Sequence, residues 1–239
     1  MYDVFYLSYY EEFADDNFEK LLNKAPHAVH VKNIKGIFNA HKACAMQAKT
    51  KMFYVVDADA ELVDDFEFDY EPKDSYEIWP GVPATTCVHV WRSRNPINDL
   101  EYGYGGVKLF PTRALRNATD WHIDFTTSVA GNFVAVQTVS NITAFNTDPW
   151  STWKSAFREC AKLAAGTIKN AHPESVKRLD AWCKRGENKP YGADALAGAN
   201  AGMKYGQAHA DDTDALNKIN DFDWLKEQFN EYAKLQQST

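Results

Sequence analysis

Two carboxylates separated by one alanine, Asp57 and Asp59, close the apolar run Phe53-Tyr-Val-Val. Oxygen donors of this kind suit a hard divalent cation such as Mg²⁺ or Mn²⁺. Held there, a cation could bridge diphosphate oxygens and neutralise charge on a departing nucleotide. A surface turn that caps a following helix would carry the same acids. The metal reading gains from position, because ligands of open α/β sheets bind beyond the carboxyl ends of the strands.

Other residues offer chemistry around this pair. Lys42 could neutralise phosphate, and His41 could hydrogen-bond a sugar or a diphosphate; both equally suit the solvated first turn of a helix, where Asn39 is a candidate cap. His89, Trp91, Arg92 and Arg94 lie on or just past a strand. Alternation puts His89 and Trp91 on one face and Arg92 on the other. A Trp there could stack on a ring and an Arg could hold phosphate, or the Trp could be core and the arginines partners of nearby acids. In Tyr102-Gly-Tyr104-Gly-Gly, the adjacent Gly105 and Gly106 let backbone approach a ligand closely, and an ordinary turn is the plainer alternative. If the chain transferred a group to a hydroxyl with inversion, it would need a carboxylate base. Asp124 and then Asp148 are the candidates, with Asp99 behind them; a retaining course needs none.

The elements that must position these residues follow from hydrophobic pattern. Residues 4–9 read as a first strand, 15–23 as a helix, 27–31 as a second strand, 39–49 as an alanine-rich helix and 53–56 as a third strand ending at Asp57. Strand, helix, strand, helix, strand is the order of a mostly parallel sheet covered by helices. Residues 64–83 read as a loop or short excursion, 86–92 as a strand, and 103–110 as a glycine-rich turn feeding a strand; 133–139 and 143–145 are further strand candidates. From residue 151 the pattern turns helical, with helices also near 174–185 and 221–235. Gly192, Gly198, Gly202 and Gly206 between them predict a flexible or ligand-facing segment. The expected fold class is therefore α/β, with a core over 1–150 and a helical extension with a glycine-rich lid over 151–239.

Composition sets the outer limits. The 239 residues are 45% hydrophobic and 25% charged, enough to build a core and too apolar for wholesale disorder. A net charge of -7 argues against a protein that coats nucleic acid electrostatically. Any nucleic acid would have to meet a local patch, for which Arg92, Arg94, Lys108, Arg113 and Arg116 are the candidates; an ordinary solvated face is the alternative. The four cysteines are too far apart for a zinc knuckle or a CxxC pair. No signal-like or membrane-length apolar segment stands out, which predicts a cytoplasmic protein without membrane contact.

The runs IKGIFNAHKACAMQAKTKMFYVVDADAEL and HVWRSRNPINDLEYGYGGVKLFP make residues 1–149 resemble a GT-A-type glycosyltransferase, similar in outline to the family 2 enzymes and to the small family-2-like glycosyltransferases of tailed bacteriophages. The resemblance implies a GT-A-like sheet, a Mn²⁺ or Mg²⁺ ion on Asp57 and Asp59, and a nucleotide-diphosphate sugar as donor, with a UDP-sugar favoured. It implies nucleotide contacts at Ser8 and Tyr9, base and sugar contacts at Gly36, Asn39, His41 and Lys42, and donor or acceptor contacts at Gly105 and Gly106. It further implies that His209, in KYGQAHADD, could join the metal, and that the acceptor could be a hydroxymethylated pyrimidine of phage DNA, placing the protein in the host cytoplasm. The chain departs from the family pattern in opening with LSYYEE and in carrying His41-Lys42 where an Arg-Asn pair is common. Two other readings stand beside this one: a nucleotidyltransferase, which should carry a glycine- and base-rich loop after the first strand that LSYYEE lacks, and a non-catalytic binder of nucleotide sugar or glycan.

Overall fold

The computed structural model describes residues 1–119, 125–130, 132–167 and 172–237. They form an α/β protein of two compact units, one made of residues 1–95 and 101–144, the other of residues 96–100 and 145–239. In the first unit β1 (Asp3–Ser8), α1 (Ala14–Leu22), β2 (Val29–Lys32), α2 (Ile37–Gln47) and β3 (Met52–Asp57) alternate as a Rossmann-like series. Then come β4 (Ala60–Leu62), the hairpin pair β5 (Glu77–Trp79) and β6 (Val82–Pro83), β7 (Val88–Arg94), β8 (Glu101–Pro111), the short helices α3 (Thr112–Asn117) and α4 (Phe125–Ser128), and β9 (Phe133–Thr143).

The main sheet runs β2-β1-β3-β8-β7-β9-β4. β1 pairs in parallel with β2 and β3, and β7 with β9; β8 runs antiparallel to both β3 and β7, and β4 antiparallel to β9. β3 is apolar along its length because it is buried on both faces, as central strands require. On one face Tyr6, Tyr54, Trp91 and Leu109 pack with Phe66 and Phe68. The other face, carrying Phe5, Phe53, Val55, Val90 and Phe110, is packed with Cys44 and Ala45 of α2, Leu115 of α3 and Phe125 of α4.

Two expectations change here. Residues 64–83 are more than a loop, because Phe66 and Phe68 enter the core and residues 77–83 form the small hairpin. The glycines of residues 103–106 lie inside the eleven-residue strand β8 rather than in a turn before it. At Gly106 the reason is steric: a Cβ there would fall 2.4 Å from the buried Asn141 amide.

The second unit is helical, with α5 (Pro149–Ala164), α6 (His172–Lys184), α7 (Gly192–Ala208), α8 (Thr213–Asn217) and α9 (Phe222–Gln237). The glycine-rich stretch is the seventeen-residue helix α7, which corrects the expectation of a flexible lid. Gly198, Gly202 and Gly206 recur every four residues and face α5, where a Cβ would come within 2.3, 2.1 and 2.2 Å of the carbonyl oxygens of Trp153, Phe157 and Ala161. Glycine's cost in a helix is offset by an approach of backbones that no side chain would allow. Among the described residues, no helix is long and apolar enough to cross a membrane.

Candidate functional site

The turn from Asp57 to Asp59 is fixed from three sides. The Tyr6 hydroxyl and the Asn17 side-chain amide both donate to the Ala58 carbonyl, at 3.1 and 3.2 Å. The Asp59 carbonyl accepts from Ala144 N at 2.6 Å, where β9 gives way to the chain beyond it. Ala58 and Ala60 are buried, so the two acids alternate with small residues directed into the protein. The turn therefore lies where β3 and β4 meet the end of β9, at the carboxyl end of a central strand.

Parallel pairing brings β1 to the same end. Leu7 lies opposite Asp57, so Ser8 and Tyr9 follow immediately beyond it. The Ser8 hydroxyl is hydrogen-bonded with His30 Nε2 at 2.8 Å. Tyr9 is 47% exposed, and its ring meets that of Tyr10 edge-on with centroids 5.1 Å apart. Tyr10 and Asn33 both take positive φ, and the Asn33 side chain accepts from Tyr10 N at 2.9 Å, tying down this loop. Val107 pairs with Val56, which places Gly106 beside the strand end that carries Asp57. A Cβ on Gly105 would meet nothing within 4 Å, so this stretch of β8 borders open space.

Electrostatics set the pair of acids apart from ordinary surface carboxylates. Burial pushes the Asp57 carboxyl up, while the Lys108 ammonium, whose Nζ lies 2.6 Å from Asp57 Oδ2, opposes that rise. Lys108 is 3% exposed, whereas Asp57 keeps a third of its side-chain surface open. Asp59 is raised to about 6, first by burial and then by the charge of Asp57. The charge of Glu11 acts on both acids, which makes it a third carboxylate of this neighbourhood.

Not every residue expected at the site reaches it. His41 is a core residue, 2% exposed: its Nδ1 is hydrogen-bonded with the Ile37 carbonyl at 2.8 Å, and its ring packs against Phe110 and Phe125. Lys42 donates to the Ala118 carbonyl at 2.6 Å and lies over the Phe38 ring, which removes it as a free phosphate ligand. Gly36, at φ 89°, is the residue from which α2 starts, and Asn39 reaches back to the Lys35 carbonyl instead of capping that helix. His89 is wholly buried between the Tyr70 hydroxyl and the Ala84 carbonyl, and Trp91 is core.

Asp148 is the N-cap of α5, accepting from Ser151 N at 2.9 Å and from the Ser151 hydroxyl at 2.6 Å. Burial alone would raise its carboxyl, but these bonds outweigh it and hold it low. Asp124 lies outside the described residues. Asp99 pairs with Lys189, and His209 ends α7 with its ring 4.5 Å from that of Tyr205.

The five-residue basic patch does not assemble. Lys108 is buried on Asp57, Arg94 pairs with Glu101, and the Arg116 guanidinium is spent on the Ala45 and Ala48 carbonyls. Arg113 and Arg116 follow the end of β8 that pairs with the start of β3, the far end of the strand from Asp57. Two shallow cavities, of about 640 and 510 Å³, also lie at that far end, beside Thr50 and Lys51.

Three participants were not singled out by residue type: Lys108 as the counter-ion of Asp57, Glu11, and Asn141. The Asn141 side chain is fully buried and accepts from the Ser93 and Ser140 hydroxyls, filling the space that Gly106 leaves. A lysine between Val107 and Leu109 in a strand was the available signal for the first of these.

Two carboxylates, one with an oxygen already given to an ammonium, make a short donor set for an ion that takes six oxygens. They fit a divalent cation whose remaining ligands come from substrate and water. Among the described residues no group of three or more His, Cys, Asp or Glu side chains gathers as a metal cage. No family model, no curated protein and no solved structure matches the chain.

Proposed function

We propose that the protein is a glycosyltransferase that moves a sugar from a nucleotide-diphosphate donor, a UDP-sugar by preference, to an acceptor hydroxyl. The observation that carries this reading is the braced Asp57-Ala58-Asp59 turn at the carboxyl end of a central strand, beside the end of β1 and the middle of β8. Asp57 and Asp59 would hold Mn²⁺ or Mg²⁺, which when bound supplies charge neutralisation for the departing nucleotide diphosphate. Tyr9 offers an exposed ring on which a base can stack, and Gly105 a stretch of strand that a sugar can approach. Tyr6 and Asn17 keep the two acids in place, so their geometry need not be organised when the donor arrives.

A hydroxymethylated pyrimidine in DNA is the acceptor that the phage likeness brings with it. It would have to meet the protein elsewhere than on the five basic residues, which the fold separates. Release of UDP from UDP-sugars, followed with Mn²⁺ and with EDTA, tests the proposal. Turnover should require the metal and fall at least a hundredfold in Asp59→Asn, whose fold should survive because the turn is held through backbone carbonyls. Equal turnover in Asp59→Asn and the parent protein would end this reading.

A further inference from the structure

Lys108 sits where a cation ligand of Asp57 would sit. Its Nζ is 2.6 Å from Oδ2, and the side chain is buried in a strand position flanked across the sheet by Val55 and Val90. The His41 ring and the Cys44 thiol are charge-coupled to this pair from α2, and neither supplies an opposite charge. Asp57 is the carboxylate in contact with the ammonium, whose charge also reaches Asp59, and the open third of Asp57 is the side from which a ligand arrives.

We infer that Lys108 is a tethered competitor for the metal: with no ligand its ammonium occupies Asp57, and a divalent cation binding across Asp57 and Asp59 displaces it. The inference rests on the glycosyltransferase reading for the identity of the ligands, but not for the competition itself. Three positive charges on one carboxylate are mutually repulsive at such distances, so cation and ammonium exclude each other from Asp57. A diphosphate arriving with the metal gives the displaced ammonium a new anionic partner. Metal and nucleotide should then strengthen each other's binding, and by linkage the coupling is the same in both directions.

Titration of the full chain with MnCl₂ and no nucleotide tests this directly. Lys108→Met and Lys108→Gln should each bind Mn²⁺ at least tenfold more tightly than the parent protein, and the gain should vanish when Asp57→Asn is added. Equal affinity in parent and variants would overturn the inference.

Should the variants not fold, the parent protein carries the test through the ¹⁵N-labelled Lys108 ammonium followed by NMR. Its resonance should shift as Mg²⁺ saturates the site, and an unchanged resonance at saturation would overturn the inference as well. A parallel titration with UDP separates the two ideas. Mn²⁺ tightening in the variants with no UDP binding to any form keeps the competition and sinks the donor assignment. Metal-dependent UDP binding that is equal in parent and variants does the reverse.

Discussion

His41 shows at the residue scale how burial sets chemistry. Its Nε2 is buried without a hydrogen-bond partner, and burial, with the Lys108 charge adding to it, lowers its pKa to about 3. The unfolded chain takes up a proton near pH 6.5 and the folded one does not, so stability falls as the pH drops from 6.5 towards 3. By pH 5 this one group should remove about 2 kcal/mol relative to neutral pH. His41→Leu should flatten the acid limb of the stability curve, as urea unfolding at pH 5 and pH 7 can measure; an unchanged limb would show that His41 is not the group responsible. Asp148 gives a second residue-scale test. Asp148→Ala should cost about 1 kcal/mol through loss of the α5 cap, and Asp148→Ser should recover most of it. A catalytic base would not be replaced by serine, so the activity of Asp148→Ser separates the two roles.

At the scale of elements, the first three strands and two helices were legible because β1 and β3 are compact apolar or aromatic runs, β2 alternates, and the helices carry apolar residues at helical spacing. β3 was the clearest, and the acids at its end were legible with it. What escaped were the places where packing overrides a residue's usual habit. Glycines normally interrupt structure, so those of β8 read as a turn and those of α7 as a flexible segment. In α7 their four-residue spacing was the signal of a close helix contact, and the partner stripe Trp153, Phe157, Ala161 has the same spacing. Gly202→Ala should therefore destabilise the helical unit by about 1–3 kcal/mol despite alanine's better helix propensity, since its methyl would meet the Phe157 carbonyl. Circular dichroism during thermal melting reads this; a variant as stable as the parent would refute the close contact. Lys108 and His41 escaped for a related reason, because periodicity tells which face a residue occupies but not which polar groups share a buried face.

For the whole molecule, the negative balance and the fate of the basic residues belong together. Of the cations grouped in sequence between Arg92 and Arg116, Lys108, Arg94 and Arg116 are engaged by Asp57, Glu101 and backbone carbonyls. Acidic groups gather instead at one end of the sheet, where Asp57, Asp59 and Glu11 interact and Lys108 offsets them through its contact with Asp57. On the proposed function, such an end would draw in cations and, through them, anionic ligands. The most direct test of the central claim is thermal unfolding of the full chain in the presence of UDP- and GDP-sugars, each with and without Mn²⁺. A UDP-sugar with Mn²⁺ at a hundredfold excess over its dissociation constant should add about 2.7 kcal/mol, or roughly 5–10 °C, and should lose that effect without metal or in Asp57→Asn and Asp59→Asn. Stabilisation that needs neither the metal nor the two aspartates, or none by any nucleotide sugar, would contradict the account.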